Sequence, residues 1–177
     1  MKLLRYILIC FILLSSIGYS QWSILKSDAD SLVRKGADHI YNVQFDSAEV
    51  DFDEIIKRYP DHPAGYFLQA MVDWWKITLY RYTDKINDDF LKRINKVIDV
   101  SDKLLEKNEY DITGLFFKGG ALGYRARFYS NEKQWFSAAT DGKEAYDILM
   151  KAHQKAPGNH DIMLGTGLFN YFAVAIP

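Results

Sequence analysis

The sequence predicts an all-α protein of antiparallel helical hairpins stacked side by side, and three observations predict it. From Asp28 onward apolar residues recur at spacings of three and four, without a sustained alternation of period two, which marks amphipathic helices and not strands. Turn segments carrying proline, Tyr59-Pro60-Asp61-His62-Pro63 and Ala156-Pro157, interrupt this pattern. After each turn the chain reopens with a similar segment: Gly65-Tyr66-Phe67-Leu68-Gln69-Ala70, Gly114-Leu115-Phe116-Phe117-Lys118-Gly119 and Ile162-Met163-Leu164-Gly165-Thr166-Gly167.

The elements follow in order. A first helix is expected over about residues 30–43, burying Leu32, Val33, Ile40 and Tyr41, and a second over about 46–58, burying Ala48, Phe52, Ile55 and Ile56. Pro60 and Pro63 then stop the chain, because proline cannot continue a helix beyond its first turn and pushes the preceding residue toward an extended conformation. The third, fifth and seventh helices open at Gly65, Gly114 and Ile162. Between them, helices over about 88–107 (Phe90, Ile94, Val97, Ile98, Leu104, Leu105) and 132–156 (Phe136, Ala145, Leu149, Ala152) complete the hairpins.

These residues resemble the tetratricopeptide repeat. Gly36 stands where that family places a small residue for close helix contact, Ala48 and Phe52 take the packing positions of the second helix, and Pro60 ends it. Gly119, Ala145, Leu149, Ala152 and Pro157 repeat these roles, and Ala70 and Leu104 keep them in between, where Glu109 replaces the proline. The resemblance implies a right-handed superhelix, an α-solenoid. Gly36 to Ala70 spans 34 residues, the family's period, but Ala70 to Gly119 spans 49 and Gly119 to Gly167 spans 48. The surplus is expected to lengthen the helices and the turns near residues 83–87 and 128–133.

The hairpins divide the chain into residues 29–62, 63–111, 112–159 and an incomplete 160–177, preceded by a linker at 21–28 and a signal peptide at 1–20. Lys2 and Arg5 precede nine uninterrupted apolar residues at 6–14, and Gly18-Tyr19-Ser20 supplies the small residues of a cleavage site. Nine residues are far short of the roughly 20 that span a bilayer. The lone Cys10 lies within the apolar run, preceded by Ile9, without the small residue that a lipid anchor needs before its cysteine. An exported domain without disulfides follows, periplasmic or secreted, held by its core alone. The last residues, Ala173-Val174-Ala175-Ile176-Pro177, are apolar where a repeat array usually closes with a polar cap. The chain is therefore expected to be the N-terminal part of a longer array.

Function is expected on the first helices of the hairpins, which line the concave surface in the tetratricopeptide family. Tyr41, Trp75, Tyr124 and Phe172 occupy equivalent positions there, and Ile40, Trp74, Gly123 and Tyr171 form the neighbouring column. With Phe67, Met71 and Phe116 these make an aromatic groove suited to a protein or peptide partner, since rigid rings give large contact area at low entropic cost. An aromatic stripe at helical spacing equally suits a packed core, and the sequence leaves both arrangements open. Arg81, Arg125 and Arg127 are candidate anion contacts, with Asp73, Asp84, Asp88 and Asp89 at hand to neutralise them.

Other chemistries find little support. Lys and Arg total 22 against 23 Asp and Glu, without the basic excess of a nucleic-acid binder. His39, His62, His153 and His160 are scattered and no His-Glu-x-x-His motif or cysteine ligand set is present, so no metal, cofactor or catalytic residue is assigned. Gly119-Gly120 follows no strand and does not form a phosphate loop. The expected function is a non-catalytic interaction scaffold of the cell envelope or secreted space. The rivals are one wall of a glycan-active envelope enzyme, with its catalytic acids elsewhere, and a glycan-binding surface protein, to which Trp74-Trp75 would be suited.

Overall fold

The computed structural model describes residues 27–80 and 84–175, with side chains at 28–80, 84–168, 170 and 171. The signal peptide, most of the linker, Arg81 and the side chain of Phe172 lie outside the described residues. Among the described residues there are seven α-helices and no strand: α1 (Ser27–Tyr41), α2 (Phe45–Arg58), α3 (Pro63–Tyr80), α4 (Asp84–Lys107), α5 (Ile112–Asn131), α6 (Trp135–Lys155) and α7 (His160–Ala175). Each helix packs on the next in sequence. Alternate helices also meet, α3 with α5 and α5 with α7, so these first helices of successive hairpins lie together.

Local chemistry sets the boundaries. The Asp111 carboxylate accepts from the Gly114 amide at 2.7 Å and starts α5, and the Asn159 side chain accepts from the Asp161 and Ile162 amides to start α7. These bonds satisfy amides that the first helical turn leaves open. The first and third hairpins use the same tight turn. Val43 and Lys133 both sit at φ 61°, with the amides of Gln44 and Gln134 donating back to the His39 and Tyr129 carbonyls at 2.8 Å. The positive φ is costly for a β-branched valine.

The surplus length goes into helices and not into long turns. α4, α5 and α6 run 24, 20 and 21 residues, against 15 and 14 for α1 and α2. α4 begins at Asp84, four residues before its expected start, and α5 continues through Asn131, so most of the extended turn expected at 128–133 is helix.

The core is a chain of clusters, each shared by neighbouring helices. Phe45, Ala48, Phe52, Ile55 and Val72 join α2 to α3, with Leu32, Val33 and Ile40 of α1 packed against them. Phe90, Ile94, Val97, Phe117, Ala121 and Phe128 join α4 to α5. Leu115, Ala152 and Ile162 join α5, α6 and α7. Two expected core residues lie elsewhere. Tyr41 is 77% exposed and Phe136 is 87% exposed. Phe136 precedes Ala145 by nine residues, two and a half helical turns, so it faces away from the buried stripe of Ala145, Leu149 and Ala152. Tyr41 follows Gly36 by five residues, about 140° around the helix, so it faces away from the surface that Gly36 turns toward Phe52.

Glycines set the close contacts. A Cβ on Gly36 would lie 2.6 Å from Cζ of the buried Phe52 ring, and one on Gly119 would lie 2.6 Å from Cγ of Leu149. Gly36→Ala is therefore expected to destabilise the protein by about 1–3 kcal/mol through overpacking. Gly123→Ala, whose added methyl meets nothing within 4 Å, is expected to stabilise it by about 0.5–1 kcal/mol through helix propensity. Urea unfolding followed by circular dichroism measures both.

Candidate interaction surface

The first helices α1, α3 and α5 carry the aromatic column, and its residues fall into two groups. At the end formed by α1 and α3, the rings of Tyr41 and Trp75 meet edge to face with centroids 6.4 Å apart. Trp75 is 40% exposed, and Leu79, one helical turn further along α3, is exposed on the same face, whereas the Tyr80 ring lies against Phe45 of α2 with centroids 6.3 Å apart. The Tyr41 and Trp75 rings present apolar area to solvent while touching each other in the edge-to-face geometry that aromatic pairs favour.

Toward α5 the same column closes into packing. Trp74 lies against Phe90 at 5.6 Å and Tyr124 at 5.3 Å, while Phe67 lies against Phe117 at 5.6 Å and Tyr124 at 5.8 Å. Burial raises the Tyr124 phenol above its ordinary pKa. Met71 is buried in the cluster shared by α3, α4 and α5, and Phe116 is half-buried against Phe117. At Met71, Trp74, Phe67 and Tyr124 the side chains thus serve the joint between the second and third hairpins. Tyr171 is 66% exposed on α7, away from this joint.

The arginines divide too. Arg125 holds Asp141 through two nitrogens, at 2.6 and 2.9 Å, and donates to the Asn95 side chain at 2.6 Å. This fork is satisfied within the protein and ties α5 to α6 and α4. Arg127 is exposed near the end of α5. One of the four carboxylates expected to neutralise these arginines, Asp73, is instead buried and paired with Arg93 at 3.1 Å. Arg93 also reaches Glu49 at 3.2 Å, and Lys76 reaches Glu49 at 2.8 Å. This four-residue cluster joins α2, α3 and α4. Burial drives Asp73 up to about 6, against the pull of Arg93 and Lys76. Burial would raise Glu49 as well, but Lys76 and Arg93 together hold it below its ordinary value. Among the described residues no group of three or more His, Cys, Asp or Glu side chains stands close enough to hold a metal ion.

Leu79, Arg93 and Glu49 went unmarked in the sequence. Leu79 carried a usable signal, since it stands four residues after Trp75 and so shares its face. Arg93 carried none, because its partners come from two other helices.

The helical hairpin stack has a counterpart among solved structures. The chain superposes on a thermophilic TPR protein from Thermus thermophilus with a TM-score of 0.51, at 16% identity, over 83% of this chain and 66% of that one. The fold is a divergent tetratricopeptide-repeat fold. The match spans just under two thirds of that protein's length. No protein-family model matches the sequence, and no curated protein does. The TPR-like stack explains why Gly36 and Gly119 face Phe52 and Leu149, and why α5 meets both α3 and α7.

Proposed function

We propose that this protein is a non-catalytic interaction scaffold of the cell envelope or secreted space, which binds a protein partner on its inner face around Tyr41 and Trp75. One observation carries the proposal: two large aromatic rings of neighbouring first helices touch each other yet remain exposed, with Leu79 extending the patch. Aromatic anchors of this kind dominate binding energy at protein interfaces. The TPR-like fold favours the same reading, since stacked hairpins offer an extended concave surface. Export rests on Lys2, Arg5, the apolar run at 6–14 and the small residues at 18 and 20.

Affinity capture from the cell envelope with the mature chain tests the binding. The Tyr41→Ala, Trp75→Ala double variant is expected to fold normally and to recover the partner at least about tenfold more weakly, a loss of about 1.4 kcal/mol or more. Equal recovery would refute the assigned face. N-terminal sequencing of the exported protein is expected to begin at Gln21.

A further inference from the structure

Lys92, Arg93, Asn95 and Lys96 of α4 meet Tyr66 and Gln69 of α3 around an open cleft of about 620 Å³. Its cations are only partly engaged. Arg93 reaches Glu49, Asp73 and the Gln69 carbonyl through Nη1 alone, so the N–H groups on Nε and Nη2 have no acceptor among the described residues. Lys92 has no ion pair or hydrogen bond among the described residues. Lys96 has the Tyr66 ring, with its Nζ 5.6 Å from the centroid. Asn95 accepts from Arg125 through Oδ1, which leaves its own amide N–H groups to donate. Asp89 and Asp99 line the same cleft but pair with neither lysine. Lys92 and Lys96 therefore stand one turn apart on one face as unpaired like charges, an arrangement that disfavours the helix on its own.

We infer that this cleft binds the phosphate group of a small anionic ligand. The unused edge of the Arg93 guanidinium offers parallel donors to two phosphate oxygens, the Lys92 and Lys96 ammonium groups add point charges, and the Asn95 amide adds a neutral donor. A tetrahedral dianion has oxygens enough for all four groups, whereas the arginine alone would occupy a planar carboxylate. Three cations against two carboxylates leave the lining one charge positive. Asp89 and Asp99 repel the continuing backbone of a nucleic acid or an acidic peptide, so a compact anion fits better than a polyanion. Tyr66 gives an apolar wall for the organic part of a phosphate monoester. No residue of the cleft belongs to the Tyr41–Trp75 patch, so the two sites stand or fall independently.

The test titrates inorganic phosphate, phenyl phosphate and acetate into the intact chain at fixed ionic strength, and follows the Arg93 Nε–H and Asn95 side-chain amide signals by NMR. Both phosphates are expected to shift these signals saturably, with half-saturation near or below about 1 mM, and acetate to bind at least about tenfold more weakly. Tighter binding of phenyl phosphate would place the organic part on Tyr66, and equal binding would assign the site to free phosphate. Lys92→Gln with Lys96→Gln is expected to weaken phosphate binding at least about tenfold and to leave thermal melting unchanged. Lys57→Gln with Lys143→Gln removes the same charge from exposed positions elsewhere and is expected to bind as the parent does. Absence of saturation up to about 10 mM phosphate, equal affinity for acetate, or an equal loss in the two double variants would overturn the inference.

Discussion

Phe52→Ala in the intact chain is expected to lower the unfolding free energy by about 3–5 kcal/mol. The ring is fully buried and occupies the space that Gly36 leaves on α1, inside the cluster that joins α2 to Val72 of α3. Alanine removes the transfer energy of the ring and opens a cavity between helices whose separation the ring sets. Because repeat arrays unfold by neighbouring units, the loss should concentrate in α1 and α2. Hydrogen exchange is expected to show their amides opening first, with those of α5 and α6 little changed. Phe136→Ala removes an equally large ring from an exposed position and is expected to change stability by less than about 0.5 kcal/mol. If the two variants melt alike, the assignment of Phe52 as the central side chain of the first hairpin is wrong.

Arg93→Met is expected to cost about 3–5 kcal/mol at pH 8, because it leaves the buried Asp73 carboxylate without its cation and deprives Glu49 of one of two. The cost should depend on pH in a definite direction. Burial raises Asp73 from 3.8 to about 6, and Glu49 and Asp89 push the same way, while Arg93 and Lys76 oppose them. The folded protein therefore holds this proton more tightly than the unfolded chain. The stability it contributes is fully present below about pH 4 and is lost as the pH rises through 6. Without Arg93 the proton is held more tightly still, so the variant should lose stability more steeply than the parent as the pH rises from 5 to 8. Asp73→Asn is expected to remove this component and flatten the profile between pH 4 and 6. Thermal melts across this range measure all three proteins, and a loss in Arg93→Met that is the same at pH 5 and pH 8 would contradict the assignment.

Much of the fold was legible in the sequence because its signals are local. The period of three and four marked each helix, Pro60 and Pro157 marked the ends of second helices, and Gly36 with Phe52 specified a contact across one short hairpin. The fate of the aromatic column was not legible. Tyr41, Trp75 and Tyr124 are equivalent in register, yet Tyr124 is packed among Trp74 and Phe67 while Tyr41 stands in solvent. The difference comes from how closely adjacent first helices approach, which depends on the lengths of α4, α5 and α6 and on small residues such as Gly120, whose Cβ would lie 3.5 Å from Phe67. Asp73 read as a partner for the arginines near the aromatic column, because only the assembled stack brings Arg93 from α4 and Glu49 from α2 beside it. Phe136 has the apolar character of a core residue but stands about 180° around α6 from Ala145, on the solvent side.

Photo-crosslinking in the cells that make the protein tests the central claim most directly. Benzoylphenylalanine is placed at position 75, on the inner face, or at position 50, where Val50 is exposed on the second helix α2. A partner held on the inner aromatic face predicts a discrete protein adduct from position 75 and none from position 50. An adduct from position 50 with none from position 75 would contradict it.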